Sequence, residues 1–262
     1  MLTALVTGGT SGIGAAFAEA LARRGHALVL VARDGDRLER TAARLRADHG
    51  VEVEVLTADL AERGDVERVA ARVADPDRPV DVLVNNAGFS VKTRFTDPDT
   101  SAHDRGFEVM CRAVLVLSSA AARAMTARGS GWIVNISSVA GLVRMGSYSA
   151  IKAYTTAFTE SLAVELAGTG VHVTAVLPGW VRTEFHERAG ISGSSIPSFL
   201  WLDARRVAEE ALEDVARGKV VSIPTRRYRA VAFTMRHLPG GAVRRLSGAL
   251  SAARQKERAA GS

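Results

Sequence analysis

Tyr148 and Lys152 stand four residues apart in a stretch patterned as a helix, so their side chains share one face. A phenol beside an ammonium can move a proton, because the cation favours the phenolate. The same spacing is common between surface neighbours, so the pair carries weight only in company. A second set supplies that company. Thr7-Gly8-Gly9-Thr10-Ser11-Gly12-Ile13-Gly14 follows an apolar run and opens another helical stretch. Glycines there let the backbone turn tightly and approach a pyrophosphate, which sits on the N–H groups and positive end of the helix. The spacing is Thr-Gly-x-x-x-Gly-x-Gly rather than G-x-G-x-x-G. The strand before it and the helix after it raise it above a mere tight connection. Gly8, Thr10, Ser11, Gly12, Ile13 and Gly14 are therefore candidate cofactor contacts.

The next strand end bears on which dinucleotide fits. Folds that bind NAD place an acidic residue about 20 positions on, for the ribose 2′-hydroxyl, whereas an Arg accommodates a 2′-phosphate. Eighteen positions beyond Gly14 stands Ala32, followed by Arg33. A guanidinium suited to bidentate phosphate recognition thus stands beside an empty carboxylate slot. NADP(H) is the expected cofactor, with NAD(H) as the alternative. Asp59, after the third apolar run, is placed to accept from an adenine amino group or to cap a helix, with Leu60 beside it.

Three further sets fall at strand ends: Asn85-Asn86-Ala87-Gly88, Asn135-Ile136-Ser137-Ser138 and Pro178-Gly179-Trp180-Val181-Arg182-Thr183. Open α/β sheets bind ligands at the carboxyl ends of their strands. The elements that must position these sets can be read from the apolar pattern. Strands are expected at Leu2–Thr7, Ala27–Ala32, Val51–Thr57, Val80–Asn85, Trp132–Ser137, Val171–Leu177 and Lys219–Pro224. Helices are expected at Gly14–Arg24, Asp36–His49, Leu60–Val73, Asp104–Ala127, Ser147–Ala167 and Ala204–Ala216. Near-continuous apolar strands alternating with helices predict one doubly wound, Rossmann-like parallel sheet with helices on both faces. Pro178–Phe199 holds Gly179, Gly190, Gly193, Pro197 and a Ser-rich patch, and reads as a mobile loop with one short helix. The expected organisation is a catalytic domain over 1–224, with a substrate loop near 184–202, and a basic, partly helical extension over 225–262.

Charge follows the same division. The chain of 262 residues has a net charge of +6, yet residues 1–216 hold 23 basic and 27 acidic residues, while 217–262 hold 11 and one. A mildly acidic body excludes a uniformly basic nucleic-acid-binding domain, and no nucleic-acid partner is expected. The single Cys111 excludes an internal disulfide and a cysteine-rich metal site, and no metal is expected. Neither a secretory signal nor an apolar run of roughly 20 residues is visible, so a cytoplasmic setting is expected.

Taken together, Thr-Gly-x-x-x-Gly-x-Gly, Asn-Asn-Ala-Gly, the Ser before the helix, Tyr-x-x-x-Lys and Pro-Gly resemble the short-chain dehydrogenase/reductase family over residues 2–185. That resemblance implies an oxidoreductase in which Tyr148 donates a proton to a carbonyl oxygen as hydride arrives from a nicotinamide. A free phenol, with pKa about 10, is too weak an acid–base group at neutral pH. Lys152 would bring it down, together with the oxidised nicotinamide, and would hold the ribose hydroxyls. Ser138 would bind the substrate oxygen, with Ser137 as the alternative. Asn86, Ala87 and Gly88 would line the cofactor beside Pro178, Gly179 and Val181, and Thr183 would contact the carboxamide.

Two departures stand out. Many members carry an Asn on the helix after the Asn-Asn-Ala-Gly strand, where it holds a relay water; here Met110 takes that place, and a thioether donates no hydrogen bond. Ser138 and Tyr148 are also only ten residues apart, which implies a trimmed Val139–Ser147 loop and an altered pocket. The expected activity is an NADP(H)-dependent carbonyl reductase or alcohol dehydrogenase; the alternative is an idle dinucleotide-binding sensor or scaffold. Phe89, Leu142, Val143, Met145, Trp180, Phe185, Phe199 and Trp201 suggest an apolar carbonyl substrate, and a basic rim would also suit an acidic acyl thioester. Tyr228–Leu238 has amphipathic spacing and is expected to dock on the core, to cover the site, or to touch an anionic membrane. A homodimer or homotetramer is usual in the family.

Overall fold

Val, Leu and Ala dominate the early apolar runs, and strands apolar on both faces require helices on both sides. The computed structural model, which describes residues 1–182 and 197–260, has that arrangement. In chain order it contains β1 (Thr3–Thr7), α1 (Gly12–Ala22), β2 (Ala27–Ala32), α2 (Gly35–His49), β3 (Val53–Thr57), α3 (Arg63–Ala74) and β4 (Val82–Asn85). Next come α4 (Ser101–Phe107), a π-helical turn (Glu108–Arg112), α5 (Ala113–Arg128), β5 (Gly131–Ile136), α6 (Gly146–Glu165) and β6 (Val171–Val176). The remaining elements are β7 (Trp180–Val181), β8 (Trp201–Leu202), α7 (Ala204–Ala216), β9 (Val221–Ser222), α8 (Arg226–His237) and α9 (Gly240–Ala260).

Among the described residues, seven strands form one parallel sheet in the order β3-β2-β1-β4-β5-β6-β9. Thr7 lies opposite Val31 and Val6 opposite Val84, so β1 sits between β2 and β4. The strand order reverses between β1 and β4, and the crevice beyond their carboxyl ends receives both the Gly-rich turn and Asn86. One face of the sheet is covered by Phe17 and Leu21 of α1, Leu38 and Leu45 of α2, and Val207 and Leu212 of α7. The other face meets Val66 and Val69 of α3, Leu117 and Met125 of α5, and Leu162 of α6. Each such side chain, fully buried, contributes about 1.5–3 kcal/mol.

Local chemistry sets the helix bounds. Asp34 caps α2 by accepting from the Arg37 N–H at 2.9 Å, and Gly50 ends that helix in the left-handed region at φ +66. α3 starts at Arg63 rather than at Leu60, because Asp59 and its neighbours form a turn. The Asp59 carboxylate accepts from the Ala61 N–H, and the Asp59 N–H donates to Asp65. The helical run Ser101–Arg128 is long and apolar enough, by length and composition, to cross a membrane. Asp104, Arg105, Glu108 and Arg112 interrupt it, so it makes no continuous apolar stretch in the sequence. Its buried side chains belong to the core described above.

In the segment expected to be loop, β7 pairs with β8, with Trp180 opposite Trp201 and Val181 opposite Leu202. Strands of two residues leave no periodicity to read. The C-terminal extension forms two helices, with Tyr228, Ala232 and Val243 buried against the body.

Candidate active site

Close backbone approach explains the glycines after β1. Gly8 and Gly12 take φ of +67 and +56, the left-handed region that favours glycine. A Cβ on Gly14 would lie 2.2 Å from the Gly8 carbonyl oxygen and 2.3 Å from Asn86 Nδ2. Among the described residues no side chain caps α1 after Ser11, so its first N–H groups are free of a capping oxygen. Thr7 Oγ1 accepts from the Asn86 N–H at 2.9 Å and the Ala87 N–H at 3.1 Å. Asn86 Nδ2 donates back to the Thr7 and Gly8 carbonyls. The two strand-end motifs are thereby stitched into one cradle. Arg37, which sequence reasoning missed, braces it by donating from Nε to the Thr10 carbonyl at 3.1 Å.

Arg33 follows β2 and is exposed at the edge of this cradle. Asp59 is engaged by the Ala61 N–H at 3.0 Å and by Arg105 at 2.6 Å. Burial pushes its carboxyl up, but those bonds, with Arg33 nearby, outweigh burial and hold it below its ordinary value. The Leu60 side chain is buried in the core below.

The ends of β4 and β5 are held by a buried polar network that the motif reading did not anticipate. Asn85 Nδ2 donates to Asn135 Oδ1 at 2.9 Å and to Ser118 Oγ at 3.0 Å, and Asn135 Nδ2 donates to Thr159 Oγ1 at 3.1 Å. Every member has a partner, so the network ties both strands to α5 and α6 without leaving an unsatisfied buried amide. Asn at the end of two adjacent strands was its signal.

Three expected catalytic residues meet beyond that network. Ser138 ends the β5 segment in extended backbone and caps a 3₁₀ turn, Val139–Leu142, by accepting from the Ala140 N–H at 3.1 Å. Its hydroxyl is hydrogen-bonded to Tyr148. Ser137 turns the other way: its hydroxyl contacts the Lys152 carbonyl and Thr156 Oγ1, both at 2.7 Å. The ten-residue spacing is accommodated by Gly141, where a Cβ would lie 2.8 Å from the Ala153 nitrogen, so the short turn lies directly on α6.

Lys152 Nζ is buried, donates to the Ile136 carbonyl at 2.8 Å and lies 5.6 Å from the Tyr148 ring centroid. Burial pushes the Lys152 ammonium down to about 8. Burial likewise pushes the Tyr148 phenol up to about 12, while the Ser138 bond pulls it down. The downward shift expected of the phenol is thus outweighed by burial. Loss of water costs the phenolate more than the neighbouring hydroxyl restores.

Met110 sits in the π-helical turn, buried, with its Sδ 3.0 Å from where a Gly88 Cβ would be. Thr155 Oγ1 donates to the Met110 carbonyl at 3.3 Å. The thioether packs between Gly88 and Gly106 of α4. Across the crevice, the Pro178 carbonyl accepts from the Val139 N–H at 3.1 Å and from the Ser138 hydroxyl at 3.4 Å. Val181, paired with Leu202 of β8, is buried, and Trp180 stands 6.0 Å from Trp201, ring to ring. Tyr228 clamps this flap: its hydroxyl accepts from the Trp180 N–H at 3.1 Å and donates to the Leu200 carbonyl at 2.7 Å. Any Cβ on Gly179 would lie 1.9 Å from Tyr228 Cζ, so glycine there is required by a residue of the C-terminal extension. Thr183 and Phe185 lie outside the described residues.

A family model for short chain dehydrogenases matches residues 2–191. An uncharacterized oxidoreductase of Staphylococcus saprophyticus is 36% identical over 183 residues, covering 69% of this chain and 78% of that protein. The solved short-chain dehydrogenase from Sphingobium yanoikuyae, in complex with NADPH, superposes with a TM-score of 0.81 at 37% identity, covering 92% of this chain and 97% of that one. A bulky-bulky ketone specific alcohol dehydrogenase from Comamonas testosteroni gives 0.77 at 33% identity, covering 92% and 96%.

Proposed function

The chain belongs to the short-chain dehydrogenase/reductase family and is an NAD(P)-dependent oxidoreductase; on that premise we propose that it uses NADP(H) to interconvert a carbonyl and a secondary alcohol on a small, apolar substrate. The observation that carries this reading is the Ser138–Tyr148–Lys152 cluster beside a cradle with no room for a Cβ at Gly14. That cradle fits the pyrophosphate of a dinucleotide, held by the backbone N–H groups of Thr10 to Ile13. Arg33 would meet the 2′-phosphate, a preference supported by Ala32 in the slot where an acidic residue would meet a 2′-hydroxyl, by Asp34 being engaged as the cap of α2, and by the NADPH in the Sphingobium neighbour. Asn86, Ala87 and Gly88 would line the cofactor, as would Asp59 and Leu60 at its adenine end and Pro178, Gly179, Val181 and Thr183 at its nicotinamide end. When bound, the nicotinamide supplies the hydride.

Tyr148 donates the proton to the carbonyl oxygen, and at neutral pH its raised phenol is in the donor form. Ser138 holds the same oxygen through its hydroxyl. Lys152 offsets the phenolate charge left after transfer and holds the ribose hydroxyls. Trp180 and Trp201 wall the mouth with apolar surface, which suits a bulky ketone such as the Comamonas neighbour's description names. A homodimer or homotetramer is supported by apolar side chains exposed along the α4–α5 run. Phe107 and Leu115 are exposed there, and the Tyr154 ring stacks on Phe158 at 6.0 Å.

The test is single-turnover NADPH oxidation across a panel of apolar ketones, with Tyr148→Phe alongside the natural chain. Loss of the proton donor should slow turnover about 10²–10⁴-fold while NADPH binding persists. Equal rates in both proteins would overturn the reading.

A further inference from the structure

A cavity of about 470 Å³ opens where residues 141–144 meet α8 and α9. Its size suits a small ligand. Leu142, Met235 and Val243 give it an apolar lining, and Arg144, Arg236 and Arg244 also line it, with Arg144 Nη1 donating to the Val143 carbonyl at 3.3 Å. Arg236 reaches Glu160 at 3.6 Å, in a pair that is half exposed on both sides. Among the described residues, no carboxylate lies within ion-pair distance of Arg144 or Arg244. Arg244 folds back over the first turn of its own helix, with Nη1 3.4 Å from where a Gly240 Cβ would be. That end of a helix carries positive partial charge, the wrong sign for a guanidinium. Like charges gathered around an apolar hollow repel one another, and an anion among them adds an attraction to each that offsets the repulsion.

The cavity is joined to the chemistry. Gly141 belongs to the 3₁₀ turn that Ser138 caps and lies on the backbone of Lys152 and Ala153. The Arg144 N–H donates to the buried Ser247 Oγ at 2.9 Å, which fixes α9 to the loop leading into Tyr148. A ligand seated here touches the segment between two residues of the reacting cluster.

We infer that this cavity receives the anionic end of the substrate, a carboxylate or phosphate carried on an apolar chain whose carbonyl reaches Tyr148. That the anion belongs to the substrate rests on the reductase reading; anion binding itself does not. The apolar lining takes the chain beside the charge, and Arg144 and Arg244 take the charge by hydrogen bonds to its oxygens.

Calorimetry on the full chain with octanoate, octan-1-ol and inorganic phosphate, with and without Arg144→Ala/Arg244→Ala, tests the site. Octanoate should bind at least about tenfold more tightly than octan-1-ol, and the double variant should lose at least about tenfold for octanoate alone. Unchanged NADPH affinity in the variant shows that it is folded. Equal octanoate and octan-1-ol affinities in the natural chain, or unaltered octanoate binding in the variant, would overturn the proposal. Kinetics with a medium-chain keto acid and its methyl ester then test the substrate assignment. The variant should raise KM for the acid about tenfold and leave the ester unchanged. An acid KM that does not move overturns the assignment. If the natural chain reduces neither compound with NADPH, the reductase reading falls, while calorimetry still judges the cavity. Variant-sensitive binding to phosphatidylglycerol vesicles without octanoate binding would make the anion a lipid headgroup and overturn the substrate role.

Discussion

Lys152 Nζ lies 5.6 Å from the centre of the Tyr148 ring and donates to the Ile136 carbonyl at 2.8 Å, so the ammonium faces the phenol from a buried, anchored position. Burial shifts both groups toward their neutral forms. It lowers Lys152 to about 8 and raises Tyr148 to about 12. Below pH 8 the pair is therefore ammonium plus phenol, the combination carbonyl reduction needs.

Carbonyl reduction should fall as pH rises through about 8, because Lys152 loses the proton that offsets the phenolate. Stability should move the other way over the same range. Lys152 titrates near 8 when folded and at its ordinary 10.5 when unfolded, so between those values the unfolded chain binds more protons and stability rises with pH. Tyr148 reverses this above its ordinary 10.0, where the folded chain retains the proton and stability declines toward 12. Paired pH profiles of kcat/KM and of urea midpoints would check both signs. A rate that stays flat from pH 7 to 10 would separate the Lys152 charge from catalysis.

Arg33→Ala should weaken NADPH about 10–100-fold and change NADH little, since a charge-assisted bond to phosphate exists for one cofactor alone. Fluorescence titration with both dinucleotides measures this. Matched losses would remove Arg33 from phosphate recognition.

Met110→Leu should keep kcat/KM within about threefold and cost under about 1.5 kcal/mol, because the buried thioether fills space against Gly88 and has no donor to lose. A large fall in rate with unchanged stability would show that the sulfur does more than pack.

Thr225→Gly should raise stability by about 1–2 kcal/mol. Thr225 opens α8 at φ +73, where a β-branched residue is strained, and among the described residues its buried hydroxyl has no hydrogen-bond partner. Chemical denaturation reads the difference, and a loss of stability would mean the hydroxyl is engaged after all.

Much of the site was legible because its signals are local. Turn glycines, Tyr-x-x-x-Lys and a serine before a helix each require neighbours a few residues apart, and alternation of apolar runs reveals the strands between them. The resemblance favoured Ser138 over Ser137, but the physical reason for that choice was not legible. Adjacent residues after a strand point to opposite sides, and only the packed α6 shows that Ser137 is taken by the Lys152 carbonyl.

By itself the sequence determined the doubly wound order of elements, the Gly-rich turn after β1 and the residue types that could move a proton. The tertiary structure decided how those groups are tuned and enclosed. Burial sets the Lys152 and Tyr148 values, Asn85 and Asn135 lock two strand ends together, and Tyr228 reaches back about fifty residues to clamp the Trp180 flap. Periodicity and spacing record what a residue's near neighbours require of it. Desolvation and long-range contact depend on which distant side chains exclude water from the same volume, which exists only once the chain has closed around it.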